Sequence, residues 1–458
     1  MLLSTPSLRR NSRAKYYPGR SVAALVLILL VPHLALAVPS FASQTGKPCS
    51  QCHTLSFGPA LTAYGRQFKL NGYTFDGGDL FVPLALFVQG GYSHTETAPP
   101  APLAPHFSAN DNFSVDQVSL FIATRITDHL GVFMQSTYSG EKRHYNWDNT
   151  DIRYARPVTL FGTDAIVGIS LNNNPTVQDL WTSTPAWSYP YITSPLVPSP
   201  GSNPLIFGSL AQVVAGATAY TMIHDSVYLE AGAYWGLSDH WLDNVGLYPS
   251  NNLHINGASP YWRAVYQVQK DPHYLSFGTF GIDVKMQPDP TVPNTNRFTD
   301  VGVDATYQYT PPDAPGAVLA TASFIHEKQD LAATFNAGGA DNPKSHLDAF
   351  RMDASYAYNQ TYSAGFGLFN ITSSTDFTYY GNLTGSIYGK ADTRGYIVQL
   401  EYVPFGKAQS WGHPWINVRL GLQYTGYLDF NGGRNNYDGT GRSASQNNSL
   451  FLFYWLIF

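Results

Sequence analysis

The run Cys49-Ser50-Gln51-Cys52-His53 holds the only two cysteines of the chain. Two thiols three positions apart, followed at once by a histidine, is the spacing of a c-type haem attachment site. Each thiol can form a thioether to one vinyl group of the same porphyrin, and the imidazole next to them can bind the iron as proximal ligand. A Cys-x-x-Cys pair also serves as a redox disulfide or as half of a zinc site, or arises by chance. A structural zinc site takes four protein ligands, and no second cysteine pair exists. A thioredoxin-like disulfide belongs beside a βαβ pattern, and none is visible. Cys49 and Cys52 are therefore read as the attachment residues of one haem c. His53 is read as its axial ligand.

The elements around this motif are short. Pro59 suits the first turn of a helix, and Leu61, Tyr64 and Phe68 recur at the spacing of one apolar helical face. Gly72 fits a helix stop. Arg66 and Lys69 lie off that stripe, where they can meet haem propionates or solvent. Residues 38–80 make a segment below the size that usually folds alone, so it is expected to dock on the remainder of the chain.

Residues 1–37 have the pattern of a cleaved secretory signal peptide. Arg9, Arg10, Arg13, Lys15 and Arg20 precede an apolar core from Val22 to Leu30, and Ala35-Leu36-Ala37 is a small-residue cleavage site. Arg9-Arg10 is a weak twin-arginine hint; general secretion fits better, because c-type haem is attached to an exported, unfolded chain. Cleavage would remove five basic residues and no acidic ones, leaving the chain more acidic than its formal net charge of −5. That balance argues against nucleic acid as a partner and suits cationic metal substrates.

Charged residues make up 12 % of the chain, about half of the roughly 25 % usual in soluble proteins. Beyond residue 37 no apolar run is long enough to cross a bilayer as a helix. Period-2 alternation dominates residues 81–458 instead. In Thr299–Tyr309, Val301, Val303, Ala305 and Tyr307 alternate with Asp300, Gly302, Asp304 and Thr306. Phe350–Tyr358 and Ile416–Tyr424 alternate in the same way. Each run has the length of a tilted membrane-spanning strand. The fold class expected is mainly β: a transmembrane antiparallel β-barrel of about 16 strands (about 14–18) behind the short helical haem segment.

Connections after odd-numbered strands are mostly long and those after even-numbered strands mostly short. Outer-membrane barrels have long extracellular loops and short periplasmic turns. The haem segment is therefore expected at the periplasmic mouth. The longest loop, about 172–208, either folds into the channel or lies on the surface. Leu450, Leu452, Tyr454, Leu456 and Phe458 end the chain on alternate apolar residues closing in a C-terminal Phe, which resembles the last strand of bacterial outer-membrane barrels.

A signal peptide, one C-x-x-C-H, a short helix and a porin-like barrel in one chain resemble the fused monohaem cytochrome–porins of the bacterial outer membrane, which include outer-membrane Fe(II) oxidases. The resemblance is carried by Pro39, Phe41-Ala42, Gln44-Thr45-Gly46, the haem motif, Pro59-Ala60-Leu61, Gly65-Arg66 and Phe68-Lys69-Leu70-Asn71-Gly72-Tyr73. Ser43 and Ala63 depart from the family pattern, where Arg and Pro are common, without touching haem attachment. Over the barrel the match is architectural only. The resemblance implies electron transfer from an extracellular donor, most readily Fe(II), through the haem to a periplasmic cytochrome-type carrier. Any enzymatic activity would be oxidoreductase in class.

Residues 38–80 contain no Met and no His other than His53. Met134, Met286 and Met352 are in phase with lipid-facing neighbours, while Met222 is ambiguous. A sixth iron ligand is expected to be a barrel histidine at a periplasmic turn (His129, His224, His273 or His413), or the iron is five-coordinate. Asp300, Asp304, Asp353 and Glu401 are in lumen phase, as in any water-filled barrel. Two other functions are open to such a chain: a diffusion porin whose haem segment is a plug or redox gate, and a haem enzyme with an open distal site.

Overall fold

The computed structural model describes residues 39–75, 84–160, 162–247, 254–288, 294–412 and 415–458. The expected signal peptide and His413 lie outside the described residues.

The strands are β1 (Leu84–Thr95), β2 (Asn112–Arg125), β3 (Leu130–Ser139), β4 (His144–Leu160), β5 (Thr163–Asn172), β6 (Val214–Ile223), β7 (Val227–Gly236), β8 (His254–Ile255), β9 (Ser259–Lys270), β10 (His273–Gln287), β11 (Asn296–Tyr309), β12 (Gly316–Asp330), β13 (Lys344–Tyr358), β14 (Tyr362–Ser373), β15 (Thr393–Tyr402), β16 (Asn417–Asp429) and β17 (Ser449–Ile457). Apart from β8, each pairs antiparallel with its chain neighbour, and β1 pairs with β17 as well as β2, so the sheet closes. The two-residue β8 only extends the end of β10, Ile255 lying opposite Met286. Sixteen strands thus form the ring, the number expected from the alternation. Closure satisfies every strand edge, which is what permits a sheet to sit in hydrocarbon.

The two faces separate as the period requires. On β11, Phe298, Asp300, Asp304, Thr306 and Gln308 are buried inside, while Val301 and Val303 are 43 % and 52 % exposed on the outside. The outward set continues through Phe277, Phe324, Phe350, Met352 and Leu368 into a greasy belt. Tyr307, Tyr356, Tyr358, Tyr362 and Tyr402 ring its short-turn end, as the aromatic girdle of a membrane barrel does. Charge closes the other end, with ion pairs Asp283–Arg297 and Arg394–Asp429.

Connections at the Leu84 end are short, such as 126–129, 224–226 and 271–272, and those at the other end are long, such as 96–111, 173–213 and 430–448. Two connections break the rule: 140–143 is short on the long side, and 403–416 is long on the short side.

The loop 173–213 folds into the barrel. Trp181, Leu180, Ile206 and Leu210 are at most 2 % exposed. Its backbone is held by luminal acids: Ile206 N donates to Asp300 (2.7 Å) and Leu205 N to Glu327 (2.5 Å). Asp179 of the loop pairs with Arg263 at 2.9 Å, and Arg263 pairs with Asp304 at 2.8 Å. A surface loop would leave these acids to water; here they anchor it.

Candidate haem site

Residues 39–75 dock inside the barrel at its short-turn end. Their helices are α1 (Ser40–Thr45), α2 (Cys49–Cys52) and α3 (Ala63–Leu70). α2 places Cys49 and Cys52 three apart on one face. The chain leaves it at His53 in extended conformation, and Leu61 bridges back to His53. α3 begins later than Pro59: Thr62 is its cap, accepting from Gly65 N at 3.2 Å, and Pro59 sits in the turn before it. Leu61 is consequently not on the helix. Expectation and structure differ because the cap side chain set the start, and Pro59 only met the geometry a first turn needs.

α2 and α3 touch closely. Thr62 N donates to Cys52 O at 2.9 Å, and Thr62 Oγ1 donates to Gln51 O at 2.6 Å. A Cβ at position 65 would lie 2.2 Å from Cys52 O, so Gly65 is required by the approach. Gly72, at φ +71°, ends the turn after α3 as expected.

The turn after His53 is clamped by the barrel wall. Gln360 accepts from Ser56 N at 2.7 Å and donates to Thr54 O at 3.1 Å. Asn417 Nδ2 donates to Ser56 Oγ at 2.7 Å. Arg419 Nη2 donates to Leu55 O at 2.8 Å and also to Phe57 O, and Arg419 Nη1 pairs with Glu401 at 3.3 Å. The same guanidinium stacks over Phe57 and Trp455, 4.8 and 5.1 Å from the ring centres.

Arg66 and Lys69 are buried rather than solvated. Arg66 donates to Leu61 O and Gln308 and stacks 3.7 Å over Tyr274. Lys69 Nζ donates to Val177 O (2.7 Å) and Asp179 O (2.8 Å) of the luminal loop. Arg153 adds a second tie, donating to Lys69 O and to Gln178 O. Both cations, read as facing either haem propionates or solvent, are committed to docking contacts. Burial, and next the nearby Arg153, push the Lys69 ammonium down to about 7.

Cys49, Cys52 and His53 line one cavity of about 890 Å³ between the segment and the luminal loop, within the few-hundred to about 1,000 Å³ range of cofactor sites. Phe57, Leu61, Phe68, Phe121, Trp187 and Trp455 supply much of its wall. Both cysteines are free thiols. Burial pushes Cys49 up, and it pushes Cys52 up to about 12 with help from neighbouring Cys49. Burial, and next the Arg419 charge, push His53 down to about 4, holding the imidazole neutral as an iron ligand must be. His53 Nδ1 is buried without a hydrogen-bond partner. A neutral imidazole and two thiols on an apolar cavity are a donor set that fits haem c.

Among the described residues lining the cavity there is no second histidine and no methionine. His129, His224 and His273 are exposed at their turns, and His273 bonds Tyr307; a turn places them on the rim, out of reach of the cavity. Met352 points out to the belt, 47 % exposed. Met286 reverses its expected orientation: the alternating burial of β10 turns it inward, onto the cluster around Val284 and Ile206. Met222 also faces inward, packed near Leu70. Neither lines the cavity. Asp300, Asp304, Asp353 and Glu401 do face inward and are buried. Arg419 and Trp455, which position the His53 turn, were visible in the sequence only as a charge and an aromatic in inward phase.

No family model and no curated protein matches the sequence. Solved structures similar in fold include OmpT of Vibrio cholerae (13 % identity, 82 % of this chain and 96 % of that one, TM-score 0.41). An anion-selective porin from Comamonas acidovorans matches at 9 % identity, 82 % and 98 % coverage and TM-score 0.45. The channel DcaP of Acinetobacter baumannii matches at 12 % identity, 82 % and 96 % coverage and TM-score 0.44. The closed strand ladder, rather than these likenesses, establishes the barrel.

Proposed function

We propose that this protein is an outer-membrane electron conduit: a c-type cytochrome segment seated in a porin-like barrel, passing one electron from an extracellular donor to a periplasmic carrier. Fe(II) is the donor favoured. The observation that carries the reading is that Cys49, Cys52 and His53 line one shared cavity inside the barrel. A closed barrel with an outward apolar belt needs a bilayer, and the export signal directs it to the outer membrane.

Haem bound here would supply a one-electron Fe(III)/Fe(II) couple. Cys49 and Cys52 would hold it by thioethers and His53 would ligate its iron. Arg419 fixes the turn that aims His53, while Phe57, Phe68 and Trp187 keep water from the cavity wall. Among the described lining residues His53 is the one imidazole and no methionine is present, so His53 would be the residue that holds the iron. Soluble Fe(II) diffuses to the cell surface, whereas ferric products precipitate near neutral pH. Passing only the electron inward keeps the precipitate outside.

In the diffusion-channel alternative the luminal loop, held by Arg263, Asp300 and Glu327, would narrow the channel. Anaerobic addition of Fe(II) to the purified haem-loaded protein tests the proposal: the spectrum of reduced haem is expected, and an unchanged ferric spectrum refutes Fe(II) as donor. In liposomes, Cys49→Ala/Cys52→Ala should abolish electron transfer across the wall. A plugged porin would instead show ion conductance that survives the change.

A further inference from the structure

Among the described arginines at the segment and its loop, Arg66 bonds Gln308, Arg153 pairs with Asp151, Arg263 with two aspartates and Arg419 with Glu401, although Arg263 and Arg419 also leave a buried Nε without a partner. Arg351 is held less firmly. It lines the same cavity as the cysteines, and its Nε is buried with no hydrogen-bond partner. Its one hydrogen bond is a 3.5 Å contact from Nη2 to Asn203 Oδ1 of the luminal loop, and its guanidinium lies 4.0 Å over the Phe207 ring. No carboxylate among the described residues is within ion-pair distance. Asp353, the next inward residue on β13, accepts from Thr321 through Oδ1 and leaves a buried Oδ2 without a partner. A guanidinium lining a cavity with no carboxylate partner and a buried Nε unfilled is costly to leave so, and its planar donors match a carboxylate.

We infer that Arg351 is a carboxylate-binding residue of the cavity, taking a propionate of the bound haem or a free carboxylate that enters the lumen. Only the first source rests on the haem reading of the cavity. Thioethers tie one edge of a porphyrin, and the propionates leave the opposite edge. Cys49 packs in the cluster that holds Ala357, and Arg351 stands six residues from Ala357 along the same inward face of β13, about 20 Å at ~3.4 Å per residue. Cys49 and Arg351 line the same cavity. Arg351 thus waits at the end of the cavity away from the thiols, where Arg66 and Lys69 are already engaged.

The test uses the full-length haem-loaded chain as wild type, Arg351→Gln and Arg351→Lys, titrated anaerobically with reductant, with and without sodium acetate. If a propionate is the partner, losing the positive charge favours ferric haem. In acetate-free buffer Arg351→Gln should then show a ferrous-to-ferric ratio about tenfold lower at fixed poise, which is about 59 mV for a one-electron couple. Arg351→Lys should restore most of it. If free carboxylate is the partner, acetate should shift the wild type and leave Arg351→Gln unmoved. No difference among the three proteins in either buffer overturns the inference. Modification of Arg351 by phenylglyoxal, read at that residue by mass spectrometry in the wild type, needs no folded variant. Should the purified chain carry no haem, the haem reading fails by itself. Arg351 is then decided by acetate: slowed modification supports the site, and an unchanged rate overturns it.

Discussion

Arg419 makes the haem segment and the barrel one unit, and its buried contacts set the size of that contribution. Its side chain is 3 % exposed and that of its partner Glu401 7 %. Arg419→Met removes the charge pair and the donors to Leu55 O and Phe57 O. Orphaning a buried carboxylate costs about 3–5 kcal/mol; Leu55 O keeps a donor in Phe57 N, so one buried carbonyl, Phe57 O, is left without one and adds about 1–3 kcal/mol. The double variant Arg419→Met/Glu401→Leu removes both charges, so only the carbonyl part remains. The variants should differ by about 3 kcal/mol, or about two decades in undocked population. The assay is thiol labelling of Cys49 and Cys52 in the haem-free full-length chain against urea, with circular dichroism tracking the barrel. Docking keeps Cys52 protonated by pushing it up to about 12, so labelling near pH 8 reports the undocked segment. Arg419→Met should label far faster than wild type, and the double variant should fall between. Equal labelling in the two variants would refute the buried-charge account, and wild-type labelling in Arg419→Met would refute the clamp itself.

Gly65→Ala brings a Cβ to 2.2 Å from Cys52 O and should weaken docking by about 1–3 kcal/mol, read by the same labelling. Arg263→Ala strands Asp179 and Asp304, each with a side chain at most 1 % exposed. The luminal loop should loosen by about 3–5 kcal/mol and single-channel conductance in planar bilayers should rise; unchanged conductance would show that the loop does not depend on this pair. Lys69 titrates at about 7 when docked and at its ordinary value of 10.5 when free. Between those values the undocked chain binds the extra proton, so docking should strengthen as pH rises from about 7 toward 9, above which the raised Cys52 thiol opposes it. Lys69→Met should flatten that slope in urea midpoints measured across the window.

Motif spacing and strand period are written locally, and the sequence alone determined both. Thioether attachment asks only for two thiols and an imidazole at set spacing, so Cys49, Cys52 and His53 stand out before any fold is known. Alternation along residues such as Val301 and Val303 against Asp300 and Asp304 specifies which face meets lipid, because side chains in a strand alternate whatever lies across the sheet. Sixteen ring strands and the alternation of long and short connections result from it. Contacts between distant positions were decided by the tertiary structure alone. Whether residues 173–213 turn inward depended on carboxylates from β11 and β12, more than 90 residues away in the chain. Arg66, Lys69 and Arg351 look alike in sequence, yet two are consumed by docking contacts and one keeps a buried Nε without a partner. A histidine near a turn has no sequence mark to say that the rim, not the lumen, receives its ring. Periodicity reports the direction of a side chain, while partnership depends on what the closed barrel brings opposite it.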